Sequence, residues 1–460
     1  MQMLNVPTAS PGWSDGGPGV LRFVEGRAFL FTAGLSEAFG VDLDAARGDA
    51  RALERAARDL RELASHGYLT PARPRRSHCE VRLLLTTACN LACSYCNVSQ
   101  GTYGEDSRHM SFETARAAIE RLAPTGEPFS VVFFGGEPLL NWRVLVELTE
   151  WARASKMDAR LVVITNGTLI DEAKARFFAR HDVVVKVSVD GDEATHDLRR
   201  VDRVGRGSHA RVVAGLEALE RAGVRPTLLA THDPDRGDVG AQAAALHVLT
   251  RKRLPVIVSG LSDAHQAGFA SQSRDQFARA AVAGEMPDAL TYFLDSVIRG
   301  AHGSDLACPA GRDAVVSPSG DVFPCHIAAD RKLDRIGALA DDTSAFRAQR
   351  EVVRERYEKP ASKCDDCWAN GLCSGGCPLR RSRGLGPTDQ DCTWSQDRIE
   401  YAAYFADVLP IDRLIALLTA ADGHRDVEAS TPLCAGLMFR EHFRGAGRAI
   451  WPLSIPRVAS

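Results

Sequence analysis

No apolar run in this 460-residue chain approaches the length needed to cross a bilayer, so no helical anchor is expected and no membrane partner. The N-terminus lacks a charged stretch leading into an apolar core, and no secretory signal is read there. Basic residues do not dominate either: Lys plus Arg (56) against Asp plus Glu (59) leaves a net charge of −3. Without a domain-wide basic excess, a nucleic-acid partner is not expected. The run Arg73-Pro74-Arg75-Arg76 reads as a solvated linker. These absences together place the chain in the cytosol, where thiols stay reduced. An apolar fraction of 45% and a charged fraction of 25% are those of an ordinary globular protein, with room for two or three domains.

Cysteine, by contrast, is plentiful. In a reducing compartment twelve cysteines point to metal ligands or redox groups rather than disulfides. Ten of the twelve fall into two arrays. The first is Cys89, Cys93 and Cys96, spaced C-x3-C-x2-C on a segment that follows the apolar run Val81–Leu85. A 4Fe–4S cluster has four irons, each ordinarily bound by one thiolate, so three ligands leave one iron open. Structural zinc wants four ligands, usually as two paired halves, and no partner pair lies nearby in sequence.

The segment Cys89-Asn90-Leu91-Ala92-Cys93-Ser94-Tyr95-Cys96 resembles the signature of the radical S-adenosylmethionine (SAM) enzymes, with the aromatic Tyr95 before the last cysteine. The resemblance implies that the open iron chelates the amino and carboxylate groups of SAM. One electron then cleaves SAM to methionine and a 5′-deoxyadenosyl radical. It also implies that Cys89, Cys93 and Cys96 are both metal ligands and catalytic. Tyr95 is expected to help place the adenine, mostly through its backbone.

From Glu80 to about Gly260 short apolar strands alternate with amphipathic helices. Strands are predicted at Val81–Leu85, Ser130–Phe134, Leu161–Ile164, Val183–Val189, Thr227–Ala230 and Val256–Ser259. Helices are predicted at Phe112–Leu122, Trp142–Ala154, Asp171–Ala179 and Ala210–Ala222. That alternation predicts an α/β fold, a partial (β/α)6 barrel with its chemistry at the carboxyl ends of the strands. The domain organisation reads as a disordered segment 1–18, a small module 19–76, the barrel 77–300, a cysteine-rich domain 301–395 and a helical tail 396–460. Within the small α+β module a hairpin turns at Glu25-Gly26 and a helix runs from Asp44 to Ser65. It resembles the winged-helix, RRE-like peptide-binding element found ahead of many peptide-modifying radical SAM enzymes; a plain packing domain is the alternative. The tail reads as a closing helix with Ile399, Tyr401, Phe405 and Leu409 apolar, then a short one over Leu414–Ala421.

Phe134-Gly135-Gly136-Glu137-Pro138 follows the second strand and matches the family's GGEP motif. By resemblance Gly135, Gly136 and Glu137 bind the methionine amino group. The chemistry is consistent, since glycines allow close backbone approach and a carboxylate neutralises an ammonium. Asn166 at the end of the third strand, and Ser188 and Asp190 at the end of the fourth, are expected to supply polar contacts to SAM. The plain alternative is that Asn-Gly and Asp-Gly are turns. In the loop that follows His196, Arg199 or Arg200 is expected to pair with the SAM carboxylate, with Arg200 carried as the candidate.

The second array is Cys308, Cys325, Cys364, Cys367, Cys373, Cys377 and Cys392. It resembles the seven-cysteine SPASM domain, which carries two auxiliary 4Fe–4S clusters, giving three clusters in all. By that resemblance Cys364, Cys367, Cys373 and Cys392 hold the outer cluster, and Cys308, Cys325 and Cys377 the inner one. Zinc ribbons are the rival for CxxC pairs, but seven ligands do not divide into four-coordinate sites. No cysteine lies within residues 309–324, so the inner cluster is either open at one iron or closed by another residue, with Cys79 and Cys434 as candidates.

Relatives with this domain mostly modify peptides or proteins. In the sulfatase-activating branch an aspartate directly follows the G-x4-C cysteine and acts as base; here that place is held by His326, expected to serve as base or as an outer partner of the cluster. The expectation is therefore a peptide maturase that takes hydrogen from a ribosomally made precursor peptide and closes a thioether or carbon–carbon link. An electron donor such as flavodoxin or ferredoxin is the second expected partner. A maturase of folded protein, whether of a sulfatase or of a dehydrogenase subunit, is one alternative. A non-catalytic iron–sulfur carrier or redox sensor is another, which the GGEP segment argues against.

Overall fold

A computed structural model describes residues 3–4, 19–32, 38–65, 79–124, 129–235, 237–251, 256–260, 266–287, 290, 293–294, 297–298, 308, 310–359, 361–365, 367–370, 372–373, 375–421, 437, 441, 444 and 446–454. Most of 1–18, the Pro/Arg linker and Cys434 fall outside these residues. Within 1–18 the described piece, Met3–Leu4 (β1), is a short strand rather than a disordered one.

Six parallel strands form the heart of the molecule: β5 (Cys79–Thr86), β6 (Phe129–Gly135), β7 (Ala159–Thr165), β8 (Val184–Ser188), β9 (Thr227–His232) and β10 (Val256–Gly260). Each predicted strand is present, within two residues at either end. Phe129–Gly135 is apolar almost throughout because both faces of a parallel strand are covered. The alternation along β5 divides the two sides. Val81, Leu83 and Leu85 pack outward against helices, whereas Leu84 joins Tyr103, Val98, Val315 and Phe323 in a separate inner cluster. The helix Phe112–Leu122 turns Ala115, Ala118, Ile119 and Leu122 to the sheet, one face at helical spacing, and its N-terminus is capped by Ser111.

The sheet does not stop at six strands. Its order is β10-β9-β8-β7-β6-β5-β11-β12-β13, with β11 (Ala314–Val316), β12 (Asp321–Phe323) and β13 (Gly337–Ala338) drawn from the cysteine-rich region. β11 lies parallel to β5, pairing Ala314 with Val81, and β12 turns back against it. These strands of two or three residues are too short for periodicity to show in sequence.

A second, antiparallel sheet has the order β1-β2-β3-β4-β14, with β2 (Gly19–Val24), β3 (Arg27–Thr32), β4 (Ala38–Val41) and β14 (Ile450–Pro452). The hairpin turns at Glu25-Gly26 as predicted. The predicted helix from Asp44 to Ser65 is two helices, Leu43–Ala46 and Ala50–Ser65. It breaks where Asp49 caps the second by accepting from the Ala52 N–H at 2.8 Å. On one face of this sheet Leu30, Phe39 and Ile450 pack against Ala56, Leu60 and Leu63 of that helix. On the other, Phe29 and Phe31 pack against Ile399, Ala402 and Phe405. These belong to the closing helix Asp389–Val408, which starts earlier than predicted, at a capping box formed by Thr388 and Asp391. A shorter helix, Ile411–Ala421, follows it. Among the described residues no helix is long and apolar enough to cross a membrane.

The two chain ends are tied together by Asp407, which is 2% exposed. Its carboxylate pairs with Arg27 of β3 and accepts from the Trp451 indole N–H at 2.9 Å. Arg444 donates to its main-chain oxygen at 2.5 Å. Asp407→Ala would keep the main-chain acceptor of Arg444 but take the carboxylate from Arg27 and the Trp451 indole N–H, and we expect a loss of about 1–3 kcal/mol of unfolding free energy. Denaturant unfolding followed by tryptophan fluorescence checks this, and a change under about 0.5 kcal/mol would show the tie to be ornamental.

Candidate functional site

The first cysteine array sits on the loop leaving the carboxyl end of β5. Thr86 and Thr87 anchor that loop by donating their hydroxyls to the Arg108 and Asp106 carbonyls, each at 3.0 Å. Further along, the Ala92 N–H bonds the Val201 carbonyl at 2.8 Å and the Ser94 N–H bonds the Arg199 carbonyl at 3.0 Å. Arg203 donates to the Cys89 carbonyl at 2.9 Å. The three cysteines are thus carried on a backbone pinned from both sides.

Gly135-Gly136-Glu137 leaves β6 directly against this loop. A side chain at Gly136 would stand 2.1 Å from the Ala88 carbonyl oxygen, so only glycine fits. The Gly136 and Glu137 N–H groups donate to the Thr86 and Ala88 carbonyls, both at 2.8 Å. The Glu137 side chain is completely buried. It accepts from the Thr165 hydroxyl at 2.7 Å, the Asn166 N–H at 2.8 Å and the Leu139 N–H at 3.1 Å. Burial pushes its carboxyl up to about 7, against the lowering effect of these hydrogen bonds.

Asn166, at the end of β7, donates to the Asn90 side-chain oxygen at 2.9 Å, and Asn90 donates to the Thr168 hydroxyl at 2.8 Å. Asn90 and Thr168 were missed in the sequence reading, although each adjoins a motif. Asp190, beyond Ser188 at the end of β8, is the hub of a buried cluster. Arg200 donates to its two oxygens at 2.8 and 3.1 Å, the Thr231 N–H donates at 2.9 Å, and the Tyr95 hydroxyl makes a short bond to it. The Arg200 guanidinium lies 5.3 Å from the centre of the Tyr95 ring. Of the two arginines, then, Arg200 is engaged by Asp190, while Arg199 pairs with Asp233. Burial would lower the Arg200 pKa, but the Asp190 charge and hydrogen bond together with Tyr95 and Cys93 outweigh it, and the guanidinium stays charged. His196 accepts from the Asp190 N–H at 3.2 Å, and burial, then Arg200, lowers it to about 4, leaving a neutral ring. Gln242, also missed, donates to the Asp190 carbonyl at 2.6 Å.

The second array forms two groups. Cys308 and Cys377 raise the pKa of Cys325, second to burial, which pushes that thiol up to about 12. In the other group Cys373 and Cys367 act on both Cys364 and Cys392, again behind burial. Cys79 is not gathered into the inner trio: the charges acting most strongly on it are those of Arg350, Asp313 and Glu80. His326 follows Cys325 on a short helix and meets Phe134 edge-on, with centroids 5.5 Å apart. Phe134 immediately precedes the Gly135-Gly136 pair, so His326 looks into the inner cluster of the sheet from the cysteine-rich side. Burial, with help from Arg82, lowers its pKa to about 4.

The radical SAM superfamily profile matches residues 83–233. A serine-type anaerobic sulfatase-maturating enzyme of Klebsiella aerogenes is 27% identical over 338 residues, covering 63% of this chain and 77% of its own. The mycofactocin maturase of Mycolicibacterium smegmatis is 30% identical over 313 residues, covering 64% of this chain and 76% of its own. This chain belongs to the radical SAM superfamily. In fold it is similar to anSMEcpe solved with bound AdoMet, with a TM-score of 0.63 and 21% identity over 76% of this chain and 100% of that one.

The radical SAM family implies a 4Fe–4S cluster and SAM, and the donor set here fits them. Cys89 is pushed up to about 12, first by burial, so a bare thiol stays protonated; a bound cation would favour the thiolate. Burial likewise raises Cys93, while Arg200 opposes it. Among the described residues no three such ligands are drawn together tightly enough for a single ion. A four-iron cube holds its thiolates further apart than one zinc does.

Because Arg200 and Asp190 are both buried, removing one charge strands the other. We expect Asp190→Asn to cost about 3–5 kcal/mol of stability, and Asp190→Asn combined with Arg200→Met to recover much of it. Equilibrium unfolding of the single and double variants decides the matter; a double variant no better than the single would mean the pair is not what holds this corner.

Proposed function

We propose that this protein is a peptide maturase: a radical SAM enzyme that removes hydrogen from a ribosomally made precursor peptide and closes a thioether or carbon–carbon link in it. The observation that carries the reading is the fit of the Cys89/Cys93/Cys96 loop against the Gly135-Gly136-Glu137 segment, with a second array of seven cysteines behind the barrel interior. The division is a peptide-binding module over 19–76, a barrel over 77–300, a SPASM domain over 301–395 and a closing tail over 396–460. When bound, the cluster and SAM supply an electron and a 5′-deoxyadenosyl radical.

Cys89, Cys93 and Cys96 hold that cluster, and Gly136 lets the backbone approach it. Glu137 neutralises the amino group of SAM, while Gly135, Asn166, Ser188 and the Tyr95 backbone line the rest of the molecule. Asp190 and Arg200 act by fixing Tyr95 and the loop around Cys93. Leu84, Tyr103 and Phe323 keep water from the interior where the peptide carbon is held. His326, a neutral imidazole facing that interior, takes up the proton released as the link closes. Cys364, Cys367, Cys373 and Cys392, with Cys308, Cys325 and Cys377, would hold two auxiliary clusters, whose chemistry would be to take up the remaining electron. A cytoplasmic flavodoxin or ferredoxin is the donor. The sulfatase-maturating relatives favour a second reading, an aldehyde-forming activator of a sulfatase. His326 in place of the base aspartate of that branch weighs against it.

Anaerobic reconstitution with iron, sulfide, dithionite and SAM should give 5′-deoxyadenosine, and Cys89→Ala should abolish it. Peptides encoded beside the gene should lose two hydrogens and resist fragmentation inside the new ring. Zinc in place of iron would end the proposal, and an aldehyde on a sulfatase peptide would transfer it to the second reading.

Glu137 offers a separate check. With its carboxyl at about 7, SAM binding should weaken as pH falls through neutrality, because protonation removes the charge that faces the ammonium. Glu137→Gln should flatten that profile and weaken binding at pH 8 about 10- to 100-fold, the worth of a charge-assisted hydrogen bond. Equilibrium SAM binding across pH measures both; an unchanged slope in the variant would remove Glu137 from the site.

A further inference from the structure

Cys373 and Cys377 stand four residues apart yet serve different groups, so the loop between them joins the two auxiliary sites. It turns on Gly375 and Gly376, whose φ values of 71° and 75° are left-handed. The Gly375 N–H donates to the Cys373 sulfur at 3.3 Å, and Cys377 starts the short helix Pro378–Arg381. Arg381, at the end of that helix, folds back over the loop. One guanidinium nitrogen donates to the Gly375 and Gly376 carbonyls at 2.9 and 3.1 Å, and another donates to the Tyr357 carbonyl at 3.0 Å. A side chain at Gly375 would stand 3.3 Å from that guanidinium and 3.8 Å from the Cys364 sulfur, so the two lie on either side of one glycine. Cys364, Cys377, Cys308 and Cys373 are all near enough for thiolate charge to act on the arginine, two from each group.

We propose that Arg381 is a positioning residue shared by both auxiliary iron–sulfur sites, clamping the loop that joins them and setting one positive charge between them. The proposal rests on the reading of these seven cysteines as ligands of two clusters. A fixed positive charge favours the more negative, reduced state of each cluster, so Arg381 makes both easier to reduce.

The test is potentiometric titration, followed by electron paramagnetic resonance, of the anaerobically reconstituted full chain and its Arg381→Gln and Arg381→Lys variants. Arg381→Gln should lower both auxiliary midpoints, each by about tenfold in the reduction equilibrium (~59 mV for one electron), and leave the Cys89/Cys93/Cys96 site unmoved. Arg381→Lys should keep both near their native values. Full iron content with unchanged potentials in Arg381→Gln, or a shift at one auxiliary site alone, overturns the shared role. Should the glutamine variant lose iron, a lysine variant that keeps it at native potentials upholds the proposal, and a lysine variant that also loses it reduces Arg381 to a folding element. Iron matching a single cluster in the native chain would instead overturn the cluster reading beneath it.

Discussion

A carboxylate with no access to water, Glu137, joins three pieces of chain that are far apart in sequence. Its own backbone is bonded to the cysteine loop, its side chain receives the end of β7, and it caps the turn that follows. Burying an acid this completely is unfavourable unless its oxygens are satisfied, and here three donors satisfy them. The cost is visible in the upward push on its pKa. A group held partly protonated in the bare protein is one that a cation can recharge, so the strain of burial is placed where an ammonium would relieve it. Position and chemistry are set by the same contacts.

The Asp190 cluster repeats this arrangement two strands along, beyond β8, with a different outcome. There the counter-charge is built in: Arg200 and Tyr95 occupy Asp190, and the Thr231 N–H closes the remaining direction. A carboxylate so occupied organises the neighbours around it. Two acids at strand ends on either side of β7 are thereby given different work by their partners alone. Glu137 is held by neutral donors and Asp190 by a cation.

The barrel was legible because parallel strands covered on both faces read as unbroken apolar runs, and helices on one side read as regular stripes. The three cysteines and Gly-Gly-Glu-Pro were legible because their chemistry demands fixed residue types at fixed spacing. What stayed hidden depends on contacts over long sequence separation. Nothing local marks Ile450–Pro452 as the partner of β4, or Arg444 and Trp451 as partners of Asp407. Arg200 looked available in sequence because an arginine near a turn carries no sign of the aspartate ten residues earlier that engages it. Asn90 and Thr168 were within reach of inspection, yet only the approach of the loop to β7 shows that they touch.

The pairing of β11 with β5 has a further consequence. Cys89 follows the carboxyl end of β5, whereas Cys308 precedes β11 and Cys325 follows β12, which runs back toward the start of β11. Because β11 is parallel to β5, with Ala314 beside Val81, both inner cysteines fall at the opposite end of the strand from Cys89. From Val81 to Thr86 the strand rises on the order of 17 Å. Along that rise Leu84, Tyr103, Val315 and Phe323 pack together, and Arg82 is the charge that acts on both Tyr103 and Cys308. One strand pair therefore sets the separation of the two cysteine sites and walls the interior between them. A change in the register of β11 would move one of them without touching the other.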